Sequence, residues 1–308
     1  MTSVPTQRRH HRTAVRPGGL ESSPWWKALA SIGSPVALGT ALLFYFGWVR
    51  SNVQADRLGY DISIAGYSTS DYVVRSINVL FVPFVVLVLL ALGAWPAHER
   101  VLRRLESRTV EGRARIVNAI QHTSWLWIIG GVLALSGPHA LRLVAIPVAL
   151  TLTVLTRRYA RALAVRLDVA TDTRTRQARA LGWILLGILV FWNTERLALL
   201  VGEGYADRIA ADPSHLVGVT IFSAKDLQIT APGVLMSRCN APTTAYSYRY
   251  EGLRLLQRSS EGYVLLNQEW NPETGRVILV SAAMGVRLEF HRGDSPPVTC
   301  SGMPATVS

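Results

Sequence analysis

Charged residues and catalytic motifs are both scarce in this chain of 308 residues. Charged side chains make up 17% of it and apolar ones 49%, whereas about 25% of an average globular protein is charged. The sequence contains no nucleophile elbow, P-loop, HExxH or glycine-rich dinucleotide turn. Nothing in it therefore favours an enzyme, although a catalytic group assembled from distant residues would leave no such motif.

Lysine is almost absent, and arginine supplies nearly all of the net charge of +12. The only lysines are Lys27 and Lys225. A strongly basic chain can bind nucleic acid, but here the basic residues cluster beside apolar stretches, as membrane topology requires. We therefore expect no nucleic-acid partner and expect the lipid bilayer to be the first partner of this chain.

Five apolar stretches have about the length that a helix needs to cross a bilayer. A helix spans the roughly 30 Å hydrocarbon layer in about 20 residues. The stretches cover residues 28–49, 73–95, 116–136, 139–156 and 181–201. Residues 1–27 form a polar, basic tail of a composition typical of disorder. The sequence therefore predicts an α-helical membrane bundle of five transmembrane helices over residues 28–201.

Arginine and lysine in the short loops predict the orientation, because cytoplasmic loops carry the positive excess. The tail and the loops after the second and fourth spans carry eighteen such residues, and the opposite loops carry three. We therefore predict a plasma-membrane protein with its N-terminus inside and residues 202–308 outside. We interpret the basic loops as topology signals lying on anionic lipid rather than as patches for headgroups or nucleic acid.

The residues after Glu203 have a different pattern, in which apolar and polar side chains alternate with a period of two. Turn residues recur between these segments, and both features are typical of antiparallel strands. The expected strands lie at residues 215–222, 227–230, 246–250, 253–257, 263–267, 276–281 and 286–290. The sequence thus predicts a small, mostly-β extracytoplasmic domain of six or seven strands.

The only two cysteines, Cys239 and Cys300, both lie in this predicted outer domain. Two cysteines outside the cytoplasm favour one disulfide, with two unpaired thiols as the alternative. The bond would close a loop of about sixty residues and stabilise the domain by roughly 4 kcal/mol. No CxxC or HxxxH spacing is present, so we expect no metal and no cofactor.

Charged residues inside the predicted spans are the first candidate site, because ionisable groups at membrane depth are costly. Arg142 and Glu195 fall at similar depths when 1.5 Å is counted per helical residue from the outer surface. We therefore predict an ion pair between these two residues. It is either a structural pair near the outer interface, with Arg196 extending toward water, or part of a proton or ion pathway.

A second candidate is a basic and aromatic surface on the outer domain. Its members are Arg249, Arg254, Arg258, Tyr248 and Tyr250. Such a set suits an anionic polymer or a peptide edge. An ordinary solvated strand face with aromatic cross-strand pairs is the alternative interpretation.

Several segments resemble a group of uncharacterised integral membrane proteins of high-GC actinobacteria. They are Gly-Trp-Val-Arg at 47–50, Gly-Tyr-Ser-Thr-Ser-Asp-Tyr at 66–72, Phe-Val-Pro at 81–83 and Tyr-Arg-Tyr-Glu-Gly-Leu-Arg-Leu-Leu at 248–256. The resemblance covers most of the chain in layout. It implies membrane helices followed by an outer domain, and it implies no activity and no functional residue.

These observations favour a non-enzymatic cell-envelope protein whose outer β-domain binds a partner, a wall polymer or a small ligand. The first alternative is a subunit of a transporter or channel that uses Arg142 and Glu195. The absence of an internal repeat counts against an inverted-repeat carrier. The second alternative is a membrane-bound enzyme, and the oligomeric state stays open.

Overall fold

The computed structural model describes residues 35–169, 175–239, 245–258 and 262–292. Its helices are α1 (Pro35–Arg57), α2 (Thr69–Glu106), α3 (Val110–Ala134), α4 (His139–Arg166) and α5 (Arg176–Ala211). Its strands are β1 (Val217–Ser223), β2 (Leu235–Arg238), β3 (Tyr248–Arg258), β4 (Gly262–Asn267), β5 (Val277–Ser281) and β6 (Arg287–His291). The chain divides into two units, Met1–Leu42 and Leu43–Ser308, and the sheet and helices α2 to α5 belong to the second.

The described helices agree with the predicted spans in part. Three of them, α2, α4 and α5, are long and apolar enough to cross a membrane, so the prediction of apolar helices of membrane-spanning length is confirmed for these three. In α3 the polar residues Asn118, Gln121 and His122 lower the mean hydropathy, and part of the first predicted span lies outside the described residues. The count of five spans and the sidedness therefore stay predictions.

The helices begin and end beyond the apolar stretches because polar residues cap them. At the start of α2, the backbone N–H of Asp71 donates to Ser68 Oγ (3.3 Å), and that of Ser68 donates to Asp71 Oδ2 (2.8 Å). This reciprocal capping box satisfies backbone donors that a helix start leaves open. At the end of the bundle, α5 continues past the predicted span end at Val201 as far as Ala211, so this helix runs into the next predicted domain without a break.

A polar contact between neighbouring helices ties α5 to α4 within their apolar stretches. The side-chain amide of Asn193 donates to Thr151 Oγ1 (2.8 Å) and to the carbonyl oxygen of Pro147 (3.2 Å). Interhelical hydrogen bonds of this kind contribute to helix association where lipid removes the hydrophobic driving force. Asn193 is therefore a structural residue that fixes the position of α5 against α4.

The strands form one antiparallel sheet in the order β5-β4-β3-β1-β6, with β2 paired to one part of β3. The predicted hairpin over residues 253–267 is confirmed as β3 paired with β4, and the last predicted strand is confirmed as β6. The predicted strand at residues 227–230 is wrong, because Gln228 has a φ of 52° and interrupts the extended chain. The strand in this region is β2, at Leu235–Arg238.

The two faces of the sheet pack against different parts of the molecule. One face holds a core of Val219, Ile221, Tyr250, Leu253, Leu265 and Val280. On the other face Leu266 and Trp270 pack with Leu58, which follows α1, and with Ala206 and Ile209 in the last turns of α5. The sheet therefore rests on one end of the helical bundle, which we call the sheet end.

Candidate functional site

The predicted ion pair between Arg142 and Glu195 is not formed in the described part of the chain. Glu195 Oε1 instead accepts a hydrogen bond from the hydroxyl of Tyr45 on α1 (3.2 Å), and the Tyr45 ring stacks on Phe191 at 5.2 Å. Arg142 is exposed. Counting depth along α4 and α5 could not reveal that the neighbour of Glu195 is α1.

The predicted basic and aromatic surface is divided between the two faces of the sheet. Tyr250 is 1% exposed; its hydroxyl donates to Asp226 Oδ1 (2.6 Å) and accepts from the backbone N–H of Leu227 (2.8 Å). Tyr248 packs against the same core. Successive residues of a strand point to opposite faces, so the two tyrosines cannot share a face with Arg249.

The three arginines of that set also have separate surroundings. Arg249 pairs with Glu251, and Arg254 is 3% exposed with Nη1 3.5 Å from the carbonyl oxygen of Leu216. Arg258 is exposed, with its guanidinium 5.7 Å from the centre of the Tyr263 ring. The five predicted residues are therefore not gathered on one exposed surface.

The predicted disulfide stays a prediction. Cys239 is 9% exposed, and its backbone N–H donates to the carbonyl oxygen of Ser247 (3.0 Å). Cys300 lies outside the described residues.

A different group of polar residues converges at the sheet end, and sequence reasoning missed it as a site. It consists of Arg50, Ser51 and Gln54 on α1, Tyr67 in the following loop and Arg75 on α2, and we call it the arginine junction. Within this group Arg50, Ser51 and Gln54 are 6%, 1% and 3% exposed. In the sequence Arg50 and Arg75 count only as loop charges that report topology.

Two glycines allow the helices to approach closely enough to bury Arg50. A Cβ added to Gly47 on α1 would lie 1.8 Å from the carbonyl oxygen of Tyr72 at the start of α2. A Cβ added to Gly202 on α5 would lie 2.5 Å from the carbonyl oxygen of Arg50 itself. Small residues are what permits such backbone contact between helices. Arg50 is thus enclosed by α2 on one side and α5 on the other.

The loop between α1 and α2 positions the remaining members of the junction. The Asp61 side chain accepts from the backbone N–H of Ser63 (2.8 Å) and caps a short 3-10 turn, and this bond lowers the pKa of Asp61. Gly66 then takes a left-handed conformation with a φ of 59°, which favours glycine. This turn places the centre of the Tyr67 ring 4.2 Å from the guanidinium carbon of Arg75.

The two guanidiniums of the junction have few partners. Arg50 Nη1 donates to the backbone carbonyl oxygen of Arg75 (3.0 Å), and its guanidinium lies 5.4 Å from the centre of the Tyr205 ring. Over the ranges that the structure describes, no carboxylate lies within 4.0 Å of either guanidinium. Asp71 interacts with Arg75 at longer range, but its carboxylate already accepts two hydrogen bonds from Ser68.

Several buried polar atoms of the junction lack a hydrogen-bond partner within the described residues. They are Arg50 Nε, Ser51 Oγ, Gln54 Oε1 and Tyr67 Oη. Native proteins leave few such atoms, because each costs about 1–3 kcal/mol when unsatisfied. Donors and acceptors that the protein leaves open in one place are typical of a site that a ligand or ordered water completes.

Burial moves the pKa of the tyrosines of this region further above neutral pH. It raises the pKa of Tyr67, and it raises that of Tyr60 to about 12 even though the charge of Arg75 acts in the opposite direction. A neutral phenol can donate a hydrogen bond, whereas a phenolate cannot. At neutral pH the junction therefore offers two guanidiniums and the Tyr67 hydroxyl as donors, which is the chemistry that binds an anionic oxygen.

No group of three or more metal-ligating side chains occurs among the residues described. The donors of the arginine junction are cationic or neutral, so the junction itself suits an anion and not a metal ion. Comparison with protein-family models, with curated proteins and with solved structures gives no match to this chain.

Proposed function

We propose that the protein is a non-enzymatic cell-envelope binding protein that holds an anionic group at the arginine junction. The group is a carboxylate or phosphate carried by a small ligand, a wall polymer or a partner protein. In this proposal the helices anchor the protein with its N-terminus inside. The outer sheet covers the sheet end of the bundle and contributes to the binding surface.

The burial of Arg50 without a counter-charge carries the proposal. An ion removed from water costs several kcal/mol unless a partner compensates it. A single hydrogen bond to a backbone carbonyl compensates a guanidinium only in part, because that group has five N–H donors. A chain keeps such a costly arrangement where function needs it, since stability and activity often oppose each other at binding sites.

The neighbourhood of Arg50 also defines the class of ligand. The guanidinium of arginine can donate two parallel hydrogen bonds to two oxygen atoms of one carboxylate or phosphate. Arg75 adds a second positive charge, and stacking on Tyr67 holds its guanidinium in place. Two fixed guanidiniums and a neutral hydroxyl favour an oxyanion over a halide or a neutral sugar.

Thermal unfolding of the purified full chain in a neutral detergent tests this proposal. Inorganic phosphate and succinate serve as probes, with sodium chloride at equal ionic strength as the reference. A ligand that binds only the folded state raises the unfolding midpoint in a saturable way. We expect that rise with at least one probe, and we expect Arg75→Gln to abolish it.

The matched control is Arg142→Gln, which removes an exposed charge from the same end of the bundle. This variant should keep the full response. An equal response of both variants, or a response to chloride as large as that to phosphate and succinate, would overturn the proposal.

The transporter alternative was based on an ion pair between Arg142 and Glu195. Since Glu195 bonds to Tyr45 instead, no observation now favours that function over binding at the junction.

A further inference from the structure

A second arginine-lined site lies at the end of the bundle opposite the sheet. It is a cavity of about 250 Å³ between α3, α4 and α5. Its polar lining is Gln121 from α3 and Arg157, Arg158 and Arg161 from α4, and Gly182 from α5 also lines it. Three guanidiniums that line one cavity differ from the scattered charges of a basic loop, because all three belong to one stretch of α4 that packs against α3 and α5.

Neighbouring side chains hold two of these arginines in place. Arg157 Nε donates to Ser124 Oγ (3.0 Å), and its guanidinium lies 5.2 Å from the centre of the Trp125 ring. The guanidinium of Arg158 lies 4.1 Å from the centre of the Trp183 ring. Cation–π contacts and a hydrogen bond restrict rotamer freedom, so less conformational entropy is lost when a ligand binds.

A glycine makes room for one of these guanidiniums. A Cβ added to Gly182 would lie 2.7 Å from Arg158 Nη1. The absence of a side chain on α5 at this point therefore lets Arg158 lie against the helix and keeps the cavity open.

The charges in the cavity are not balanced by the residues around it. None of the described residues that line it is acidic, and the side chain of Arg161 forms no ion pair with any described residue. The first turn of α5 reaches the cavity through Ala178, and a helix start adds partial positive charge. The cavity is therefore a site of concentrated positive potential.

We propose that this cavity binds a phosphate group. In liquid water, about eight molecules would occupy this volume. The cavity therefore accommodates a phosphate ester with a small substituent but not a whole lipid. The source is either the headgroup of an anionic phospholipid, whose chains lie along the apolar helix surfaces, or a soluble phosphate monoester. Basic pockets between membrane helices are known to recognise lipid headgroups in this way.

The experiment compares two phospholipids with the same acyl chains, one with an anionic headgroup and one whose phosphate is neutralised by a choline cation in the same headgroup. Dioleoylphosphatidylglycerol or dioleoylphosphatidylcholine is titrated into the detergent-purified full chain, and the thermal unfolding midpoint is measured. Glycerol 1-phosphate in solution is the third arm. We expect a saturable rise with phosphatidylglycerol and none with phosphatidylcholine, and we expect R157Q/R158Q/R161Q to need at least tenfold more lipid for the same rise.

The control variant R100Q/R104Q/R108Q removes three arginines at the inner end of α2 and just beyond it, outside the cavity lining. This variant should respond like the wild type. A response to glycerol 1-phosphate that the R157Q/R158Q/R161Q variant loses would also support the phosphate site, and would identify a soluble ester as the source.

Two results would overturn the proposal. One is an equal weakening of the lipid response in both triple variants, which would show that diffuse surface charge alone attracts the lipid. The other is a wild-type chain whose midpoint does not respond to phosphatidylglycerol or to glycerol 1-phosphate. If the R157Q/R158Q/R161Q variant does not fold, Arg161→Gln alone should weaken the response, because that side chain has no structural bond to lose.

Discussion

Replacing Gly202 by alanine should destabilise the protein, whereas the same change at Gly204 should not. Both glycines lie in α5, two positions apart, so they face different directions. A Cβ at position 202 would lie 2.5 Å from the carbonyl oxygen of Arg50 and 3.3 Å from Val53 Cβ, and a Cβ at position 204 would meet nothing within 4 Å. The two variants therefore add the same atom to the same helix in different packing environments.

The expected difference follows from two opposing contributions. Alanine stabilises a helix interior over glycine by about 1 kcal/mol, and this gain is common to both positions. Only at position 202 must α1 and α5 move apart, because unstrained carbon contacts lie at about 3.5–4.0 Å. Overpacking of this kind costs typically about 1–3 kcal/mol. Gly202→Ala should therefore be less stable than Gly204→Ala by roughly 1–3 kcal/mol, since the propensity gain cancels between them.

Thermal unfolding in one detergent, followed by tryptophan fluorescence, measures this difference. In domains of 150–250 residues a change of 1 kcal/mol shifts the midpoint by about 2–4 °C, so we expect Gly202→Ala to unfold several degrees below Gly204→Ala. Gly202→Ala should also lose the response to phosphate or succinate, because it displaces the backbone of Arg50. Equal midpoints for the two variants would refute the close contact of α1 with α5 on which the arginine junction depends.

Three further predictions concern the junction and the outer domain. Arg50→Gln should leave the unfolding midpoint unchanged or raise it while abolishing the anion response, because an unpaired buried ion costs several kcal/mol; a clear drop would make Arg50 a purely structural residue. Cys239 and Cys300 in intact cells should react with a membrane-impermeant maleimide only after an impermeant phosphine reduces them, and labelling by a permeant reagent alone would place the domain in the cytosol. The hydrogen bond from Tyr250 lowers the pKa of Asp226 in the folded protein. The ionised Asp226 therefore stabilises the folded state above the ordinary aspartate pKa of about 4, and this stabilisation is lost as the pH falls through the folded-state pKa. Asp226→Asn should thus destabilise at pH 7 but not in acid, and in a Tyr250→Phe background this pH dependence should become smaller, while the bond from the backbone N–H of Gln228 to Asp226 remains.

Local patterns along the chain predicted the elements whose partners are close in sequence. The uninterrupted apolar run at residues 73–95 predicts a membrane helix because a helix that is apolar on every side either lies in the core of a large protein or spans a membrane, and α2 is long and apolar enough to do so. The β3–β4 hairpin followed from two alternating segments separated by a short turn. The segment at 227–230 has the same alternation but is not a strand, because Leu227 bonds to Tyr250, which is distant in sequence.

The candidate sites show the limit of that reasoning more clearly. Arg249 and Tyr250 are neighbours in sequence, yet the pleat of β3 places their side chains on opposite faces of the sheet. Helix depth alone predicted Arg142 as the partner of Glu195, whereas Glu195 accepts a hydrogen bond from Tyr45. The apolar helices and the alternating strands can be predicted from the chain alone, since both depend on side chains within a few residues of each other. Which charges lie near each other depends on the packing of the helices, because Gly47 and Gly202 bring together helices that are far apart in the chain and enclose Arg50 between them.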